Sequence, residues 1–411
     1  MPRHAIVAIY AHPEAYPPTL NALGELARHF EQVSVVYRPI METHWRYPDN
    51  VTLLPSGAAM HVREQERLPV LEKVKLFAGY VRDLRRAIAK HRPELVLVYD
   101  ALALFAWSLV RLTGPPAHKV WYHNHDVLHV PPGRLSLNWF ASRAEKRVFK
   151  HLDVFSLPAE ERKIYFPMER LRGRYAFLPN LPSAHGPWRS VQASPPADVF
   201  RLLYQGHIFE GHGFEQILSL MPFEVGGKPV ELVLAGWITD EYRRKLEEMA
   251  RSRRAEAFLK ITGVLPYEEL TRLTASCHVG LAVFNMDRHA MASSAGTASN
   301  KIYEYAAAGL PVLYFDDEHY RRHLGQYRWT AATDLSVSSL VEALQYMHDN
   351  WPEMSSAAKA DFFEKLNFEA HFRPVYQHLL AGGLLKKSAS RADSKASLPT
   401  EAPSQGPLNG R

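Results

Sequence analysis

The sequence has 411 residues, 46% of them apolar, enough for two domains of ordinary size that each bury a core. Its one cysteine, Cys277, excludes an internal disulfide framework and agrees with a reducing compartment. The net charge of +6 favours anionic partners in general, nucleotides, lipid headgroups and nucleic acid alike, and the sign chooses none of them.

Two apolar runs bear on location. Residues 5–10 are too few for the core of a signal peptide, and residues 95–110, interrupted by Asp100, fall short of the ~20 needed to span a bilayer. A cytoplasmic protein is expected.

In chain order, residues 4–10 read as a strand and 19–30 as a helix with Leu20, Leu23, Leu26 and Ala27 on one side. Strand signals recur at 33–37 and 51–54. A long helix over 70–90 precedes 95–99, a continuous apolar run of the kind a parallel sheet buries on both faces. Strands alternating with helices at this spacing indicate a doubly wound α/β domain. The next strand, 120–122, ends in His123-Asn124-His125-Asp126. Ligands collect at the carboxyl ends of strands in open α/β sheets, so these side chains are candidates for a binding site, with loop histidines of no chemical role as the alternative. His118, His123, His125 and His129 lie close together, but no cysteine accompanies them and no ligand spacing is met, so no metal site is expected. A helix over 135–150 containing Glu145 follows, then a strand near 153–156 and another ending at Phe177-Leu178-Pro179-Asn180.

Pro182, Pro187, Pro195 and Pro196 among serines and alanines mark 183–198 as an interdomain linker. The second domain opens with a strand over 200–205 and a glycine-rich turn, Gly206-His207-Ile208-Phe209-Glu210-Gly211-His212-Gly213. Glycines between a strand and a helix let backbone N–H groups approach a phosphate. Strands are expected at 230–235, 258–262 and 277–284, a helix at 266–276, and a long loop at 285–298. In Ser299-Asn300-Lys301-Ile302-Tyr303-Glu304-Tyr305-Ala306-Ala307-Ala308-Gly309-Leu310-Pro311-Val312-Leu313, Ser299 suits an N-cap, Gly309 a left-handed C-terminus, and Pro311 stops the helix before a strand. Asn300, Lys301 and Glu304 share one face, beside N–H groups suited to an anionic ligand that also carries hydroxyls; a solvated polar face is the alternative. Asp316-Asp317-Glu318 reads as a helix cap. Outer helices follow over 335–350, with Asp334 as N-cap, and over 354–366 and 368–380. From 386 onward the composition cannot build a core.

The Lys-x-x-Glu-Tyr-x-x-x-Gly-x-Pro-Val run from Lys301 to Val312 resembles the donor-binding helix of GT-B glycosyltransferases of retaining family 4. The His125 segment, the Glu145 helix, the glycine-rich turn and the strand-and-helix order extend the resemblance over about residues 3–385. It implies an α/β protein of the GT-B fold, two Rossmann-like doubly wound parallel-sheet domains facing across a cleft. Residues 1–182 would form the acceptor side, 199–366 the nucleotide-sugar side, 367–385 a helix returning to the first domain, and 386–411 a disordered tail. The implied activity is transfer of a sugar, of the hexosyltransferase type and with retention, from a nucleotide sugar to a glycan or lipid-linked acceptor. No cofactor, metal or nucleic acid is implied. Gly206, His207, His212, Gly213, Ser299, Asn300, Lys301 and Glu304 would bind the donor, Glu304 taking the ribose diol because a carboxylate accepts from both hydroxyls. His125 would act at the sugar.

Two departures stand out. Gly296 occupies the place of a usual sugar-binding glutamate, and His207 and His212 stand where the family has Arg and Lys. They motivate one rival, a non-catalytic GT-B scaffold that binds a partner or nucleotide; a second rival is a sugar-nucleotide epimerase on the same fold. Peripheral membrane contact is expected through Lys73, Lys75, Arg82, Arg85, Arg86 and Lys90, with Trp139, Phe140, Arg134, Arg143 and Lys146, against the alternative of a solvated helix face.

Overall fold

Apolar strands that need burial on both faces lead the chain into two parallel sheets. The structure, a computed structural model, describes residues 3–40, 42–43, 45–113, 118–127, 133–283 and 299–381. His129, the 285–298 loop with Gly296, and the 386–411 tail lie outside the described residues. The described chain divides into two compact units, residues 3–179 with 371–381, and residues 180–370.

The first unit contains strands β1 (His4–Ile9), β2 (Gln32–Tyr37), β3 (Val51–Pro55), β4 (Leu95–Tyr99), β5 (Lys119–His123), β6 (Val154–Leu157) and β7 (Arg174–Phe177). They lie in the order β3-β2-β1-β4-β5-β6-β7, all parallel. Helices α1 (Pro17–His29), α2 (Val62–Arg67), α3 (Val70–His91), α4 (Asp100–Arg111) and α5 (Leu137–Val148) make the crossovers. Every residue of β1 and β4 is buried, which is why these runs are continuously apolar rather than alternating. Ile6, Val98, Trp107, Tyr122 and Phe155 belong to one core. The winding reverses between β1 and β4, which opens a crevice at the carboxyl ends of those strands.

The second unit repeats the plan. Its strands are β8 (Phe200–Gln205), β9 (Glu224–Val225), β10 (Lys228–Ala235), β11 (Leu259–Gly263), β12 (Val279–Ala282), β13 (Val312–Phe315) and β14 (Thr330–Thr333). The order is β11-β10-β8-β12-β13-β14, with β9 added antiparallel to β10, and the switch point falls between β8 and β12. Its helices are α6 (Phe214–Leu220), α7 (Asp240–Ser252), α8 (Tyr267–Ala275), α9 (Asn300–Ala308), α10 (Glu318–Leu324), α11 (Val337–Asp349) and α12 (Trp351–Glu364). The last helix, α13 (Phe368–Ala381), starts in the second unit and ends in the first.

Local chemistry fixes several ends. Asp317 caps α10 by accepting from Tyr320 N at 2.9 Å. The cap of α11 is Ser336, accepting from Ser339 N at 3.3 Å, and not Asp334, which instead turns back to accept from Ser336 N at 2.8 Å. Residues 183–198 belong to the second unit, where Trp188 is buried and donates to the Tyr267 hydroxyl at 2.9 Å.

Candidate functional site

In the second unit the candidate residues gather at the carboxyl ends of β8, β10 and β11. Each strand gives way there to a glycine of positive φ: Gly206 (120°), Gly236 (147°) and Gly263 (74°). Gly206 N donates to Ala235 O at 2.9 Å and Gly236 N to Gly263 O at 2.8 Å, so the three form a row. A Cβ on Gly236 would collide with Gly206 O, and only glycine permits this approach. The row leaves bare backbone where a ligand can come close.

Helix α9 stands beside it. Tyr305 hydroxyl accepts from Gln205 N at 3.0 Å, tying the helix to the end of β8. Gln205 Nε2 donates to Glu304 Oε2, and the other end of the same side-chain amide contacts Thr274 Oγ1 at 3.0 Å. Tyr267 hydroxyl donates to the other Glu304 oxygen at 3.3 Å. Burial outweighs these donors and Lys301, and raises the Glu304 pKa to about 7. Lys301 packs against Gly206, its ammonium lies 4.1 Å from the Tyr204 ring centroid, and it donates to Tyr204 hydroxyl at 2.6 Å. Burial lowers its pKa to about 8, against the opposing pull of Glu304. Ser299 holds the N-cap position of α9 without its hydroxyl accepting from the first turn, and Asn300 Oδ1 is buried with no hydrogen bond among the described residues.

The two histidines of the glycine-rich turn part company. His207 is exposed, with its ring centroid 4.6 Å from that of Trp237, and burial and then Lys301 lower its pKa. His212 is only 1% exposed and packs among Tyr204, Phe209 and Phe214. Tyr204 hydroxyl has one proton, which it donates to His207 O at 3.0 Å; the 3.0 Å contact with His212 therefore has Nε2–H as donor. His212 thus holds the turn from within, while His207 stands in solvent at its start. Gly213, at φ 74°, starts α6.

In the first unit, His125 is 4% exposed and sandwiched between Tyr99 and Tyr16, with centroids 4.5 and 4.8 Å away. Asp100 accepts from His125 N at 2.7 Å and from Nδ1–H at 3.2 Å, and Nε2 lies within hydrogen-bond reach of the Thr19 hydroxyl, at 3.3 Å. Arg162 donates to His125 O. Asp100 takes a φ of 63° to reach both groups, a conformation that aspartate tolerates better than most side chains. His118 bonds Trp107 at 3.0 Å and His123 bonds Ser156 at 2.8 Å, so each described histidine of this stretch has its own partner.

No protein-family model matches the chain, and no curated protein matches it. Solved structures do. Sucrose-phosphate synthase from Thermosynechococcus elongatus matches at 14% identity with a TM-score of 0.65, over 92% of this chain and 100% of that one. Anabaena Alr3699/HepE, in complex with UDP and glucose, matches at 13% identity and 0.61, over 91% and 99%. The UDP-GlcNAc 2-epimerase from Methanocaldococcus jannaschii matches at 13% and 0.55, over 91% and 99%. The fold is GT-B.

Within the GT-B frame, the structure gathers Gly206, His207, Lys301 and Glu304 in the second unit and leaves His125 in the first. Reasoning from sequence missed four residues that position them. Asp100 was visible as a charge inside an apolar run, and Gln205 as a polar end to a buried strand. Tyr204 and Tyr267 carry no such signal, because ring and hydroxyl suit a core as well as a site.

Proposed function

We propose that this protein is a glycosyltransferase of the hexosyltransferase type, moving a sugar from a nucleotide sugar to a glycan or lipid-linked acceptor with retention, without a metal or other cofactor. The observation that carries the reading is Glu304, a half-buried carboxylate whose two oxygens are held by Gln205 and Tyr267 beside a row of glycines. This suits a ribose diol, with Lys301 and exposed N–H groups of the turn close to the diphosphate. Electrostatic stabilisation of a departing nucleoside diphosphate would then be the main catalytic effect of this unit. The resemblance assigns His125 to the sugar, and its Tyr–His–Tyr stack and Asp100 bond supply the rigidity such a role needs.

The test is release of nucleoside diphosphate on addition of acceptor across a panel of nucleotide sugars. Release without acceptor, or none with any donor that binds, overturns the reading. Interconversion of the donor's sugar would favour the epimerase, which the shared fold keeps as second reading. We also propose a cytoplasmic protein that touches a membrane peripherally, on the strength of the basic residues gathered along α3. Val70, Leu71 and Val74 are 73, 64 and 46% exposed at the start of α3, ahead of exposed Arg82, Arg85, Arg86 and Lys90. No described helix is long and apolar enough to cross a bilayer. Co-sedimentation with anionic vesicles at low salt tests this contact.

A further inference from the structure

The first unit carries a second concavity, at the opposite end of its sheet from His125. Lys150, His151, Leu152 and Asp153 precede β6, Arg172, Gly173 and Arg174 lead into β7, and with His378 of α13 they line a cavity of about 520 Å³. Gly173 makes the arrangement possible. A Cβ there would collide with the carbonyl oxygens of Leu152 and Asp153, so only glycine lets the Arg172–Arg174 turn lie against the segment before β6.

The charge is one-sided. Lys150, Arg172 and Arg174 are exposed, and neither they nor Arg111 at the end of α4 have an ion-pair partner among the described residues. The one carboxylate in the lining, Asp153, is already committed: it pairs with Lys119 at 3.4 Å and accepts from Val120 N at 2.8 Å. Arg111 Nη2 lies 3.1 Å from His151 Nδ1. A guanidinium only donates, so this imidazole nitrogen is the acceptor, the ring is neutral and its proton sits on Nε2. Burial, Arg111, Lys150 and Arg172 all lower the His151 pKa, in keeping with cations converging on it.

Cations gathered around one concavity repel one another, at a separation where physiological salt screens them only in part. Nothing in the fold core requires them, since all reach solvent or the cavity. Guanidinium forks match phosphate oxygens in pairs, and the volume falls within the range of small-molecule sites. We propose that this cavity binds a phosphate-bearing anion of at least two negative charges, separately from the donor site. Because His378 belongs to α13, such a ligand fastens the last helix to the body of the first unit.

Hydrogen exchange of the full chain with and without inorganic pyrophosphate tests the site by location. Protection is expected in 149–153, 172–177 and 371–381, apart from any in 205–213 and 300–308. Arg172 and Arg174 are exposed, so Arg172→Glu with Arg174→Glu keeps the fold. The double variant should lose that protection, with affinity at this site down by about tenfold or more, as expected for removing charge-assisted bonds, while protection in 205–213 and 300–308 persists. Absence of protection at millimolar pyrophosphate, or equal protection in the double variant, overturns the proposal. Phosphatidylglycerol vesicles identify the source. Co-sedimentation that pyrophosphate competes away and the double variant loses assigns the phosphate to a lipid headgroup; site protection by pyrophosphate with vesicle binding unchanged in the variant assigns it to a soluble ligand.

Discussion

Glu304 and Lys301 share a helix face and shift in opposite directions, to about 7 and about 8. A diol donates to carboxylate, so nucleotide affinity should fall as pH drops below about 7 and Glu304 takes a proton. A diphosphate needs the ammonium form, so affinity should also fall above about 8 as Lys301 loses its proton. Since burial and then Lys301 lower the His207 pKa from its usual value, it adds little charge between these limits. Titration calorimetry with a nucleotide sugar should therefore give a maximum between about pH 7 and 8, and a flat profile would remove both residues from the donor site. Glu304→Ala should cost about 1.5–3 kcal/mol of nucleotide affinity, the range for bonds to a charged group, with the melting temperature little changed. His125→Ala should lower kcat and leave nucleotide affinity alone, and Asp100→Asn, which loosens the ring's hold without deleting it, should lower kcat less. The i, i+3 spacing made Lys301 and Glu304 readable from sequence. What they touch was not, because Gln205 lies 99 residues from Glu304 and such contacts leave no local pattern. The burial of His212 was hidden for the same reason, its cage being built by aromatic side chains that the core also needs.

Elements were read more reliably than contacts. The strands announced themselves as continuous apolar runs, and Gly309 ends α9 in the left-handed conformation, at φ 83°. The distance of α9 from the sheet was hidden. Gly280 in β12 lies under the Tyr305 ring, and a Cβ there would overlap the ring's atoms. Gly280→Ala should thus push α9 outward, costing about 1–3 kcal/mol as overpacking does. Nucleotide affinity should fall with it, because Glu304 and Lys301 move too. Stability lost with affinity retained would show that α9 is not the donor helix.

At the scale of the molecule, both sheets wind outward from a switch point, an arrangement that alternating strands and helices made legible. The proline-rich composition of 183–198 gave no sign that Trp188 would be buried on Tyr267, a partner 79 residues away. In α13, Phe372 packs 5.3 Å from Trp121 and Tyr376 stacks 4.0 Å from His29. Phe372→Ala should destabilise the first unit by about 3–5 kcal/mol, as for other buried phenylalanines. Hydrogen exchange should show faster opening in β1 to β7 and little change in β8 to β14; equal loosening of both would contradict the division into units.

That helix also sets an order of assembly. A ribosome delivers residues 180–370 before residues 371–381, so the second unit has its whole sequence while the first still lacks Phe372, Val375, Tyr376 and Leu379, all of them buried in the finished protein. Nascent chains usually complete their domains from the N-terminus onward. Here the N-terminal unit must wait, its Trp121 and His29 uncovered, until residues 371–381 have been made, and a chain cut after residue 370 should hold a folded second unit and an unfinished first.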